Sequence, residues 1–346
     1  MSKIYKWSVI GAGPAGIASV GQLLDHGVQS DEILWLDPEF KVGDFGTKWA
    51  EVSSNTKVEL FTRFFESCRA FEYENSPAFS IQNMNPNDTC LLQFATEPLQ
   101  WVTNHLINKV NIIKGKVIGM HLSERKWHLK ISDQIVRAKN VIVAPGSEPV
   151  SLGYPAVNEV LLTEALKFNQ LKNHCQSKDK VAVFGSSHSA IILLQELIEN
   201  CKVEHVYNFF LSPLCYATYF DDWILFDDKG LKGKAAEWAR ENIDGKLPKN
   251  LTRLLSNENN IRSVLPLCTK VIYATGFKPR SIPIEGINHL EYNTRTGIIA
   301  PGLFGLGIAF PEVREDGVGN IGHRVGLWKF MDYLLRVMPI WLKYGC

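Results

Sequence analysis

The most specifically spaced residues in this chain are Gly11, Gly13 and Gly16, in a stretch "GAGPAG" that also holds Pro14 and Ala15. The apolar run "WSVI" precedes them and "IASVGQLLDHG" follows, so the pattern predicts a strand, a tight loop and a helix. Each glycine has its own task in binding a pyrophosphate. Gly11 permits the turn, Gly13 lets the phosphate approach the backbone, and Gly16 lets the helix pack close to the strand. The helix amino terminus then presents N–H groups and a positive dipole end to the anion. Asp37 ends the next apolar run, "EILWLD", where a carboxylate is placed to accept hydrogen bonds from an adenosine ribose. The chemistry indicated is dinucleotide binding.

The elements that would carry this loop occur twice. "KVAVFGSSHSA" again reads as strand and loop, "IILLQELIENC" as a helix and "EHVYNFF" as the next strand. Gly185 keeps the turn, while Ser187 and Ala190 replace the second and third glycines. Both are small: Ser187 allows moderately close phosphate approach, and Ala190 suffices where helix and strand pack. Ser186 and His188 complete the loop, with His188 at the start of the helix as an outer contact to a bound nucleotide. Each unit closes on a similar strand end, "NVIVAPG" at Ala144, Pro145 and Gly146, and "KVIYATGF" at Thr275 and Gly276.

The first unit is longer, and its surplus should lie in the excursion from about Pro38 to Pro98; long excursions in compact domains are usually functional. "GKVIGMHL", "KWHLKI" and "QIVRA" read as a small antiparallel meander. "FPEVREDG" (Phe310 to Gly317) reads as a surface loop, and "GNIGHRVGLWKFMDYLLRV" as a Gly-rich loop entering a helix from about Val325. At the end of "HVYNFFLSP" there is neither an acid for a 2′-hydroxyl nor an arginine for a 2′-phosphate. Asn208 and Ser212 are the neutral groups there, so nothing decides between a ribose 2′-hydroxyl and a 2′-phosphate.

The 346 residues carry 37 basic and 36 acidic side chains, a formal net charge of +1. That balance argues against nucleic acid or an anionic membrane surface as the main partner. The seven cysteines include no close pair, which fits reduced thiols in the cytoplasm better than disulfides or a zinc site. No apolar run reaches the length of a membrane span. The expected partner is a small-molecule substrate, with no metal; a homodimer is one option for the assembly.

Paired glycine loops and paired strand ends together resemble the two-dinucleotide-binding-domain flavoproteins, the FAD/NAD(P)-binding pyridine nucleotide-disulfide oxidoreductase superfamily. The resemblance implies an α/β fold of two Rossmann-like, three-layer units. A discontinuous FAD domain (about 1–150 and 280–346) would hold FAD, and an inserted domain (about 151–279) would hold NADP or NAD. Disulfide reductases of this fold carry a close cysteine pair and a late "GD"; here Ile308 follows Gly307. "GTKWAEVSSNTKVELF", with Trp49, Ser54, Asn55 and Thr56, instead resembles the small flavin-containing monooxygenase-like branch. By that resemblance Asn55 lies beside the isoalloxazine ring as the catalytic residue, Trp49 covers the flavin and Val117 contacts the adenine through its backbone. His323 or Arg324 would lie near the reduced flavin. The implied activity is hydride transfer from the nicotinamide to flavin, followed by monooxygenation of a small organic substrate. A flavin reductase or oxidase, and a weakly catalytic FAD/NAD(P)-binding sensor, are the alternatives.

Overall fold

The structure, a computed structural model, describes residues 3–132, 134–155, 157–221, 223–287 and 290–345; Cys346 lies outside them. The first glycine loop joins β1 (Ile4–Ile10) to α1 (Pro14–Asp25), and β2 (Ile33–Asp37) follows. The excursion then builds α2 (Gly43–Thr47), β3 (Ser53–Lys57), α3 (Val58–Glu66), β4 (Thr89–Leu91) and α4 (Gln93–Ile107). Next come β5 (Asn111–Lys114), the meander strands β6 (Val117–Ser123) and β7 (Lys126–Ile131), then β8 (Gln134–Val143) and β9 (Ser147–Pro149).

The second unit holds β10 (Asn158–Glu159), α5 (Leu162–Ala165), α6 (Phe168–His174), β11 (Lys180–Phe184), α7 (His188–Gln195) and β12 (His205–Phe210). It continues through β13 (Thr218–Tyr219), β14 (Ile224–Leu225), α8 (Gly233–Ala239), β15 (Leu251–Leu255), α9 (Glu258–Val264), β16 (Lys270–Tyr273) and β17 (Phe277–Pro279). The chain closes with β18 (Ile298–Ala300), β19 (Leu303–Gly305), β20 (Glu312–Glu315), β21 (Ile321–Arg324) and α10 (Leu327–Tyr344).

Two parallel sheets organise these elements. The first runs β19-β8-β1-β2-β5, with β18 antiparallel at its edge and the β6–β7 meander paired to β8. The second runs β10-β16-β11-β12-β15, all parallel. Strands buried on both faces read as continuous apolar runs, which is why β2 (ILWLD) is buried at every position. The meander's third strand and the strand leading to Ala144 are one: β8 pairs with β7 over its first half and enters the parallel sheet over its second. Helix α10 lies against α1, and its Trp341 stacks on Phe304 of β19 at 4.9 Å between centroids.

The two units meet at several places. β9 pairs antiparallel with β17, Ser147 opposite Pro279 and Pro149 opposite Phe277. Arg280, next in sequence, donates its backbone N–H to Gly146 O (3.0 Å) and its Nη1 to Pro145 O (3.3 Å), and it pairs with Asp44 of α2. The segment before α8 reaches back to the chain's end, where Asp227 pairs with Lys232 and, at 2.6 Å, with Lys329 of α10.

The carboxy-terminal segment corrects the sequence reading. Residues 312–315 and 321–324 form a two-stranded hairpin rather than loops. Glu312 is 4% exposed, because three arginines converge on its carboxylate: Arg314 Nε at 2.6 Å, Arg324 Nη1 at 3.0 Å and Arg336 Nη2 at 2.8 Å. The charged block "EVREDG" reads as a surface loop because Arg324 and Arg336, which bury Glu312, are distant from it in sequence. Arg324 is thereby committed to Glu312 and Asp332, while His323 stands exposed.

Candidate functional site

At the carboxyl edge of each sheet the two glycine loops adopt the same construction. Gly11 N donates to Leu36 O (2.7 Å) and Gly185 N to Phe209 O (2.8 Å). Ala144 N donates to Ile10 O (2.9 Å) and Ala274 N to Phe184 O (2.8 Å). Both glycines have positive φ, +103° and +122°, which favours a residue without Cβ. A Cβ on Gly11 would lie 2.2 Å from Ala144 O, and one on Gly185 2.3 Å from Ala274 O. Gly16 is equally constrained, since a Cβ there would lie 1.9 Å from Gly11 O. At the matching point of the second loop Ala190 is fully buried.

Both loops present uncapped helix ends. Helix α1 begins at Gly13, with Pro14 inside its first turn and no acid there. Helix α7 begins at Ser187, whose side chain makes no capping bond, again with no acid in the first turn. Their free N–H groups suit an anion. Gly13 borders open space: a Cβ there would meet only Val42 O, at 4.0 Å. Gly307 approaches from the other side, its own Cβ position 2.8 Å from Ala15 Cβ.

Asp37 is 8% exposed, and its carboxylate organises the first loop from within. Oδ2 accepts from Ala12 N (2.8 Å); Oδ1 accepts from Glu39 N (2.8 Å) and Phe40 N (2.7 Å). These bonds hold a turn in which Phe40 and Val42 are left-handed, φ 55° and 59°. Backbone strain of this kind clusters where ligands are clamped. Replacing Asp37 by alanine strands three amides, so a loss of roughly 2–4 kcal/mol is expected in urea unfolding. An unchanged midpoint would show that the turn does not depend on the carboxylate.

The excursion brings Asn55 and Trp49 to the second unit. Asn55 stands exposed on β3, its Oδ1 accepting a 3.4 Å bond from Thr56 Oγ1. Two residues earlier, Ser53 O takes a 2.8 Å bond from His188 Nε2. A carbonyl partner places the proton on Nε2, leaving Nδ1 an acceptor; it is buried and unpartnered among the described residues. Burial, with Lys232 nearby, holds the imidazole below its ordinary pKa despite the Ser53 bond, so His188 is neutral at pH 7. Trp49 packs edge-on against Phe277 of β17 at 5.7 Å. Val117 is buried at the start of β6, opposite Ile131.

In the second loop, Ser186 Oγ donates to Ser212 O at 3.5 Å, and Ser187 is exposed. Thr275 Oγ1 donates to Val150 O (3.0 Å), beside Gly276, whose φ is +103°. Gly146, at φ +77°, has Arg280 Nη1 3.1 Å from its Cβ position. Asn208 is not a free group at a ribose. It is fully buried, with Nδ2 donating to Val183 O (3.1 Å) and Gly185 O (2.7 Å). Two arginines escaped the sequence reading. Arg280 directly follows the "ATGFKP" strand end; Arg253 lies on β15, whose apolar run "LTRLL" was the available signal.

Residues 8–209 match the profile described as pyridine nucleotide-disulphide oxidoreductase. The chain is 32% identical over 382 residues to the monooxygenase AgnR1 of Paecilomyces divaricatus, covering 96% of this chain and 97% of that protein. Its fold is similar to that of a flavin-containing monooxygenase from Stenotrophomonas maltophilia (TM-score 0.66, 15% identity, 99% of each chain). It is also similar to a bacillithiol disulfide reductase from Staphylococcus aureus (TM-score 0.62, 12% identity, 99% of each chain). The profile spans more than half of the chain and the relative aligns with nearly all of it; the chain belongs to the pyridine nucleotide-disulphide oxidoreductase family.

Proposed function

We propose that the protein is an FAD-dependent oxidoreductase that takes reducing equivalents from NADPH or NADH and acts as a monooxygenase on a small organic substrate. The observation that carries this reading is the duplicated loop: two uncapped helix ends beside two equivalent glycine turns, with Ser53 of the excursion bonded to His188 of the second loop. The full-length similarity to a relative named as a monooxygenase supports the reaction class. Bound FAD would supply hydride acceptance from the nicotinamide and the reaction with oxygen.

The chain's residues bind and orient. Gly11, Gly13, Pro14, Ala15 and Gly16 would hold the FAD pyrophosphate. Asp37 keeps that loop in shape, with one lone-pair position left for the ribose. Ala144, Pro145, Gly146 and Val117 complete the FAD side. Gly185, Ser186, Ser187, Ala190, Thr275 and Gly276 would hold the nicotinamide nucleotide. Neutral His188 offers an acceptor at Nδ1, Asn55 would face the reacting ring and Trp49 would cover it. The two sheets support a division into residues 1–150 with 280–346 for FAD and 151–279 for the second nucleotide. The scattered thiols support a cytoplasmic protein.

The test is anaerobic mixing of the purified yellow protein with NADPH and with NADH. Prompt bleaching near 450 nm is expected with at least one of them; bleaching by neither sinks the reading. With labelled oxygen and a panel of small ketones, sulfides and amines, label should enter an organic product. Return of all electrons as hydrogen peroxide across the panel would make the protein an oxidase. Asn55→Ala should bleach normally yet divert electrons from product to peroxide.

A further inference from the structure

We propose that Arg253, reaching from β15 over the end of β12, selects NADPH over NADH by binding the 2′-phosphate of its adenosine ribose. The proposal rests on reading the second glycine loop as the nicotinamide nucleotide site. It supplies from a neighbouring strand the cation that "HVYNFFLSP" lacks.

Strands β12 and β15 run parallel with Asn208 opposite Arg253 and Phe210 opposite Leu255. The side chain of Arg253 is oriented at its base by Nε, which donates to Asn208 Oδ1 at 3.0 Å. Asn208 in turn holds Gly185 O, so the arginine is tied to the loop itself. The guanidinium then lies over the Phe210 ring, 4.5 Å from its centroid, at the carboxyl end of β12. Ligands of open parallel sheets bind outside the carboxyl ends of the strands, and the adenosine ribose lies by the end of the second strand of such a unit.

The terminal nitrogens of this arginine are idle. Neither Nη1 nor Nη2 has a hydrogen-bond partner among the described residues, and Nη2 is buried. A guanidinium has five donors, and leaving charged donors buried and unpaired is costly enough to require a reason. A phosphate supplies one, since the planar fork matches its oxygens with two charge-assisted bonds. The other charges nearby are Arg240, stacked over Tyr216 at 3.9 Å, and Asp244, which accepts from the Tyr216 hydroxyl. Among the described residues they leave, with Arg253, one positive charge over. The rim is apolar where a purine would lie: Leu211 is 80% exposed and Leu255 49% exposed at the ends of the two strands. No carboxylate stands among residues 205–213 to repel a phosphate or to grip a 2′-hydroxyl.

The experiment compares NADPH and NADH in steady-state reduction by wild-type, Arg253→Gln and Arg253→Lys protein loaded with FAD. Calorimetry with adenosine 2′,5′-bisphosphate and with AMP supplies a readout that needs no turnover. The wild type should prefer NADPH, and Arg253→Gln should raise the KM for NADPH by about 10–100-fold, the range set by one charge-assisted pair. Its KM for NADH should stay within about twofold, below the 1.4 kcal/mol that a tenfold change represents. Bisphosphate binding should fall to the AMP level. Arg253→Lys keeps the charge and loses the fork, so it should lie between. A wild type without NADPH preference overturns the proposal. So does an equal loss for both nucleotides, which would make Arg253 a brace for Asn208 and the glycine loop. Failure of the underlying reading looks different: the wild type would bind neither AMP nor the bisphosphate and accept hydride from neither nucleotide.

Discussion

Gly11→Ala is expected to give protein that lacks FAD and unfolds at lower temperature, whereas Gly185→Ala keeps its FAD and loses reduction by nicotinamide. Both substitutions meet the same two obstacles. Their φ angles of +103° and +122° disfavour any residue with a Cβ, by about 1–2 kcal/mol. The added atom also falls 2.2 Å or 2.3 Å from a carbonyl oxygen of the adjoining central strand. That strand cannot retreat without breaking Ala144 N→Ile10 O or Ala274 N→Phe184 O, and overpacking of this kind adds about 1–3 kcal/mol. Against a typical stability of about 5–15 kcal/mol the protein survives, but the loop does not keep its shape. The ratio of absorbance at 450 nm to 280 nm and the anaerobic bleaching rate separate the two variants. A Gly11→Ala protein with full FAD would show that this turn does not form the flavin site.

Glu312→Ala should destabilise the fold by roughly 2–4 kcal/mol, because three partly exposed guanidiniums lose their shared buried carboxylate and keep only Asp332 between them. This network fastens the β20–β21 hairpin to α10. Its pH dependence has a definite sign. Burial alone would raise the Glu312 pKa, but Arg336, Arg314 and Arg324 outweigh it and hold the carboxyl below its ordinary 4.5. The unfolded chain therefore binds the proton first. The stabilisation is complete above the unfolded value and is lost as the pH falls through the lowered native one. Asp332, held down against its own burial chiefly by Arg324, acts in the same direction. Urea midpoints should thus drop on acidification below about pH 4.5 more steeply in the wild type than in Glu312→Gln. Parallel pH profiles for the two proteins would contradict the assignment.

How much of this was legible depends on the range of the physics involved. The glycine loops were readable because turn, phosphate approach and helix packing are decided within a few residues, and Gly11, Gly16 and Gly185 occupy the positions that this logic assigns. The duplication was readable for the same reason, each loop lying between an apolar strand and a helix. Asp37 ends β2 as its place in the sequence predicts, yet only its neighbours in space reveal that three of its acceptor positions serve the loop's own amides. His188 stands at the helix start of the second loop, yet only folding shows that its Nε2 donates to Ser53 O of the other unit.

Sequence alone therefore determined the repeated strand–loop–helix grammar, the α/β class and the dinucleotide chemistry, because local sterics and the period of apolar residues suffice for them. Only the tertiary structure decided the partners of the charged and polar groups. Glu312 passed from an apparent surface loop to the centre of three arginines, Asn208 became a brace for Gly185, and Arg253 and Arg280 arrived from strands unremarked in the sequence. Their pairings join residues that are distant along the chain, and whether a charge is solvated, paired or idle depends on what folding places beside it.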